Sequence, residues 1–189
     1  MSTARSQQRQ KTRAEVLKTA QQLFQERGFA HTTIRDIAAA AGVSVGTVMS
    51  VGDKNALLVA SFDQTVADIH KTYSPPPVGE GTITERILAR FLPFITLFAA
   101  NLELARIYGA NLVTGVYPSA LFTELQSMLI AEITTELIEH YSDPAVARQV
   151  AESMYFAYVG RMFTWPLDST DVEALTEEIR RIIAAIIHP

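Results

Sequence analysis

The 189-residue chain contains no cysteine, so a disulfide framework, a cysteine zinc site and a thiol nucleophile are all excluded. It also lacks a long apolar run. The longest stretch without a charged residue, 107–123, is interrupted by Gly109, Gly115 and Pro118 and falls short of the ~20 apolar residues a membrane helix needs. The first eleven residues are polar and basic with no apolar segment, unlike a secretory signal, so a cytoplasmic protein with no membrane partner is expected. No stretch alternates apolar and polar residues as a strand would, and no GxGxxG or GxxxxGKS run exists to cradle a nucleotide. The four histidines (His31, His70, His140, His188) have no metal-ligand spacing and no neighbouring nucleophile pattern. Neither a metal, a cofactor nor an enzymatic activity is therefore expected.

What the chain does have is a composition sufficient for a core, with 48% apolar residues and a mean hydropathy of +0.14. Its net charge of −4 conceals an asymmetry. Residues 1–55 carry eight basic and four acidic side chains, whereas the remaining residues carry eight basic and sixteen acidic ones. A basic head on an acidic body suggests that the head alone meets a polyanion.

Apolar spacing, capping residues and glycine stops predict helices over 8–27, 34–41, 45–51, 53–73, 83–100, 102–114, 118–141, 144–164 and 169–187. The fold class is all-α: a three-helix head with a helix-turn-helix and a larger helical body, about nine helices in total. The division falls at residues 1–54 and 55–189, with 53–73 as a connecting helix. The Pro75-Pro76-Pro77 run with Gly79 and Gly81 reads as the only linker-like segment. Asp53, Asp143 and a residue within 168–171 are candidate N-caps, and Pro93 inside an apolar helical pattern is expected to kink its helix and open space beside it.

In the head, Ala38, Gly42 and Val48 stand at offsets 0, +4 and +10. This spacing suits a close helix crossing, a left-handed turn and an apolar pin, which together make a helix-turn-helix. An ordinary helical corner would use the same three residues. As a helix-turn-helix, the second of its helices would expose Ser44, Val45, Thr47, Met49 and Ser50 to a DNA major groove. The basic arm of Arg5, Arg9, Lys11 and Arg13 could lie along phosphates or reach a minor groove, or be a tail without a role.

The run TRAEVLKTAQQLFQERGFAHTTIRDIAAAAGVSVGTVMSVGDKNALL, from Thr12 to Leu58, closely resembles the DNA-binding domain of the TetR family of bacterial transcriptional regulators. The resemblance implies a homodimer on a double-stranded DNA operator, with a helical body that holds a small-molecule effector. It further implies that Thr33 caps the second helix near a phosphate, that Ser44 to Ser50, Gly46 included, face the groove, and that Lys54 meets the backbone. Thr32 and Arg35 complete the candidate DNA-facing set. The chain departs from the family pattern after Thr47, because Met49 stands where a tyrosine is usual, the following aromatic pair is missing, and the turn at Gly52 is one residue shorter. Weaker affinity or an unusual operator is the expectation.

The aromatic residues of the body fall at helical spacing. Phe91, Phe94, Phe98, Tyr108, Leu112, Tyr155, Tyr158, Met162 and Trp165 are candidates for an apolar effector pocket. The last two helices offer Val146, Val150, Ala157, Gly160, Leu175, Ile179, Ile182, Ile183 and Ile186 as a dimer interface. The function expected is a ligand-responsive regulator, a repressor released from a near-palindromic operator by a small apolar or aromatic effector. The alternative is a binding protein of the same fold whose degenerate head no longer contacts DNA.

Overall fold

The computed structural model describes residues 2–73, 81–166, 169 and 171–187. The Pro75–Pro77 linker, Gly79, Asp168 and His188 lie outside these. The described residues form α1 (Ser2–Arg27), α2 (Ile34–Ala40), α3 (Val45–Val51), α4 (Lys54–Thr72), α5 (Ile83–Ala100), α6 (Leu102–Thr114), α7 (Ala120–Leu137), α8 (Pro144–Phe163) and α9 (Val172–Ile187), with no strand among them. None of these helices alone is long and apolar enough to cross a membrane.

The elements follow from local chemistry. Gly28 and Gly42 take φ of +79° and +65° after α1 and α2, the left-handed conformation that ends a helix most cheaply with glycine. Asp53, Asp143 and Asp171 accept hydrogen bonds from the backbone N–H groups of Ala56, Ala145 and Ala174 and so cap α4, α8 and α9. Pro144 occupies the first turn of α8, where its missing N–H costs nothing.

Three boundaries differ from the sequence-based expectation by more than two residues. Helix α1 begins six residues earlier, because 2–7 hold no glycine or proline to stop it, while no apolar stripe signals it in the sequence. Helix α7 stops at Leu137, whose carbonyl accepts from both His140 and Tyr141 in a closing turn. Helix α9 starts only at Val172, just after its Asp171 cap.

The chain forms two compact units. The first joins the described part of Met1–Val66 to Glu103–Ser119, and the second joins Ala67–Leu102 to the described part of Ala120–Pro189. The first unit is built on Val16, Ala20, Phe24, Ile37, Val48, Leu57, Leu58 and Phe62, all buried. The second is built on α5, α7, α8 and α9, with Ile87, Phe91, Ile95, Ile133, Leu137, Met154, Leu175 and Ile179 at its centre. Burial of such side chains, worth ~1.5–3 kcal/mol each, is what fixes these helices against one another.

Helix α5 runs through Pro93 as one helix. Proline has no N–H for the carbonyl four residues earlier, which is that of Ala89. The Tyr73 hydroxyl donates to this carbonyl instead. Arg86 and Arg90, also on α5, each place a guanidinium nitrogen 2.6 Å from the fully buried Glu136 carboxylate of α7, and Glu132 stands 3.5 Å from Arg90. The buried acid is thus paired, as its burial requires.

Candidate nucleic-acid interface

Helices α2 and α3 are set at a bend of 108°, within the range typical of helix-turn-helix pairs. The start of α2 is a complete capping box: Thr33 Oγ1 accepts from the Asp36 N–H, while the Asp36 carboxylate accepts from the Thr33 N–H at 2.8 Å and its hydroxyl at 2.6 Å. These bonds hold the Asp36 carboxyl below its ordinary value, with a smaller contribution from Arg27. The turn closes through a Val43 N–H bond to the Ala38 carbonyl at 3.0 Å. Ser44 caps α3, accepting from the Thr47 N–H at 3.0 Å, with the two hydroxyls 2.9 Å apart.

The inward side of the motif is Ile37, Ala38 and Val48, all essentially buried. Its outward side is polar with two apolar patches. Val45 and Met49 are 44% and 50% exposed, and Ser44, Gly46 and Ser50 are exposed around them. The Ser50 hydroxyl donates to the Thr47 carbonyl at 2.7 Å. Arg35 is exposed on α2. Lys54 opens α4 with its Nζ 4.2 Å from the centre of the Phe29 ring and 3.5 Å from the Ala30 carbonyl, so its charge is held beside the loop that precedes α2.

Thr32 corrects one expectation. Its side chain is fully buried, and its hydroxyl is shared between the carbonyls of Leu23 (3.1 Å) and Gly28 (2.9 Å). It locks the end of α1 onto the start of α2 and has no face left for a phosphate. Gly52 has a steric role: a Cβ there would lie 2.7 Å from Ala56 Cβ, so the short passage from α3 to α4 requires glycine.

Residues 16–50 match the family model for bacterial regulatory proteins of the tetR family. The match takes in the second half of α1, all of α2 and nearly all of α3. Among solved structures, FadR of Thermus thermophilus, a TetR-family transcriptional repressor in complex with lauroyl-CoA, is similar over 91% of this chain and 93% of its own, with a TM-score of 0.65 and 22% identity. FadR of Bacillus subtilis in complex with stearoyl-CoA gives a TM-score of 0.45 at 18% identity, over 93% of this chain and 99% of its own. No curated protein matches the sequence.

The helix-turn-helix unit is braced by a distant segment of its own. From α6 and the loop after it, the Tyr108 and Ser119 hydroxyls donate to Asp63 of α4 at 2.7 and 2.8 Å. Tyr117 donates to Asp53 at 2.7 Å, Asn111 donates to Asn55 at 3.3 Å, and the Tyr108 ring stacks on Phe62 at 4.8 Å. Burial pushes the Asp63 carboxyl above its ordinary value, against the two hydrogen bonds that favour its charge. Nothing local in the sequence signals this ladder, because its partners lie 45–64 residues apart.

The residues expected to form an effector pocket divide between the two units. Tyr108 and Leu112 belong to the first unit, where Tyr108 is spent on Asp63 and Phe62. Phe91, Phe94, Phe98, Tyr155, Tyr158, Met162 and Trp165 are brought together in the second unit, all buried. Phe91 stacks on Tyr158 with centroids 4.1 Å apart, Tyr155 meets Tyr158 edge-on, and Arg161 lies over Trp165. Burial raises both phenols well above their ordinary value, so Tyr155 and Tyr158 stay neutral.

Of the residues expected at a dimer interface, Leu175, Ile179 and Ile183 are instead buried within the chain itself. The apolar stripe of α9 is consumed by its own unit. Val150, Ala157, Ile182 and Ile186 are half-buried, and Val146 and Gly160 are exposed. Larger apolar side chains that reach the surface of this unit include Leu92 on α5, Met128 and Ile138, on and just after α7, and Phe156 on α8, the last 59% exposed. Among the described residues no His, Cys, Asp or Glu cluster could hold a metal ion.

Proposed function

We propose that this chain is a ligand-responsive transcriptional regulator, a repressor that binds a near-palindromic operator as a homodimer and is released by a small apolar or aromatic effector. One observation carries the reading. The motif turns Ile37 and Ala38 of α2 and Val48 of α3 inward and leaves Val45, Met49 and Ser50 of α3 outward, a surface that a mere packing corner has no need to build. Thr33, Arg35, Ser44, Gly46, Thr47 and Lys54 are the polar and backbone contacts of the same face, and Met49 offers an apolar contact to a thymine methyl in place of a phosphate bond.

Residues 1–54 act as the head, 55–189 as the body, and 53–73 as the connection between them. The ladder from Tyr108, Asn111, Tyr117 and Ser119 to α4 supports a mechanism in which a change at α6 is felt by the head. A fiftyfold loss of operator affinity needs only ~2.3 kcal/mol of coupling. The buried aromatic group of α5 and α8 suits an apolar effector, and the lauroyl-CoA bound by the Thermus thermophilus relative makes a fatty acyl thioester the first to test. The exposed Met128, Val146 and Phe156 of α7 and α8 support self-association through that surface, in the cytoplasm.

Selection of fragments from the host genome by the purified chain, followed by titration of lauroyl-CoA against the bound site, tests the reading. Enrichment of a near-palindrome and its release by the thioester are expected. Failure of a folded, dimeric protein to enrich any site would favour the second reading, a binding protein whose head has lost DNA through Met49. That substitution of an apolar side chain for an aromatic hydrogen-bond donor is the observation in its favour.

A further inference from the structure

We propose that the N-terminal half of α1 is a second DNA-binding element, in which Arg5, Arg9 and Arg13 form a track for backbone phosphates flanking the groove that α3 enters. The inference rests on the DNA-binding reading above and adds a surface to it. The three arginines stand four residues apart on a helix that is continuous from Ser2 to Arg27, so they share one face. The stripe spans about 12 Å, along which one strand of a duplex presents about three or four phosphates.

This stripe is one wall of an open groove of about 1020 Å³, whose other wall is Thr47, Ser50 and Val51 of α3. No carboxylate lines the groove. Arg13 reaches across it to the Val51 carbonyl at 3.4 Å and ties the two walls together. The first fourteen residues carry four basic side chains and no acidic one, so nothing on this part of α1 offsets the stripe. Guanidinium groups bind phosphate through paired N–H donors, and their fixed spacing on a helix spares the ordering cost that a loose basic tail would meet. An acidic polypeptide would satisfy the charge equally. A duplex is favoured because the opposite wall is the hydroxyl-bearing side of α3, so one bound backbone meets both surfaces.

The test compares the full chain with Arg5→Gln/Arg9→Gln and Arg5→Lys/Arg9→Lys, leaving Arg13 in place because it contacts α3. Binding is followed by fluorescence anisotropy over a series of salt concentrations, on the selected site with long flanks, the same site with its flanks trimmed, and an unrelated duplex. The glutamine pair should lower the slope of log affinity against log salt by about 1.8 for each head bound, since each phosphate contact contributes ~0.9. It should weaken the long selected duplex and the unrelated duplex by the same factor, and it should match the parent on the trimmed duplex. The lysine pair should keep most of the slope, which separates loss of charge from loss of the helix. An unchanged slope for the glutamine pair on the long duplex would overturn the proposal while leaving the regulator reading intact. A parent chain that binds no duplex in a salt-dependent way would overturn both.

Discussion

Replacing Tyr73 by phenylalanine removes one oxygen, yet it should destabilise the second unit measurably. The reason lies twenty residues away, at Pro93, which deprives the Ala89 carbonyl of its helical donor. Tyr73 supplies the missing donor, and burial keeps its phenol neutral by raising it above its ordinary value. The site is partly buried, so leaving the carbonyl unpaired should cost about 1–2 kcal/mol. For a chain of this length that corresponds to a fall of about 2–8 °C in Tm by scanning calorimetry. The decisive comparison is the same substitution in a Pro93→Ala background. Alanine restores the N–H that bonds Ala89, so Tyr73→Phe should there cost less than about 0.5 kcal/mol, a coupling of roughly 1 kcal/mol across the cycle. Equal costs in the two backgrounds would refute the account, because the hydroxyl would then not be serving the carbonyl that proline abandons.

Three further outcomes follow from the geometry. Gly52→Ala should destabilise the head by about 1–3 kcal/mol in urea titrations through its clash with Ala56, and adding Ala56→Gly should recover part of that loss. Thr32→Val should lower stability by about 1–2 kcal/mol without changing operator affinity measured where both proteins are folded, since its hydroxyl serves only Leu23 and Gly28. Asp63 has a folded pKa raised by burial, so the stability it confers is full below the ordinary carboxylate range and is lost as pH rises through the raised value. Asp63→Asn keeps an acceptor for Tyr108 and Ser119, and its stability relative to the parent, from urea midpoints, should therefore climb with pH across that window; a flat difference would refute the assignment.

The helix-turn-helix was legible because its determinants are local. Thr33, Gly42 and Ser44 are recognisable caps and turns, and Ala38 and Val48 stand at a spacing that suits a close helix crossing with an apolar pin. The helical body was legible for the same reason, through Asp143-Pro144 and the apolar periodicity of α9. What escaped is nonlocal or ambiguous in kind. Thr32 and Thr33 are chemically alike, and only packing turns one inward. The stripe of Leu175, Ile179 and Ile183 announces that something covers it, but periodicity does not distinguish a partner copy from the chain's own α5 and α8. The first turn of α1 is polar all round, so hydrophobic period is silent there. The Arg90–Glu136 pair and the Asp63 ladder join residues 45 to 64 positions apart, a distance that no local pattern encodes.

The ladder on α4 also governs how this protein can be recombined with others. A graft that joins residues 1–66 to a foreign body at one junction would carry Asp53, Asn55, Phe62 and Asp63 away from Tyr117, Asn111, Tyr108 and Ser119. The transplanted head would present a carboxylate stripped of its Tyr108 and Ser119 donors and an aromatic ring stripped of its Tyr108 stacking partner. A faithful exchange needs two junctions, because the segment that completes this head is encoded 37 positions downstream, at 103–119. Shuffling by a single crossover would accordingly favour acceptor bodies whose own sixth helix already carries a tyrosine and hydroxyls in register with α4.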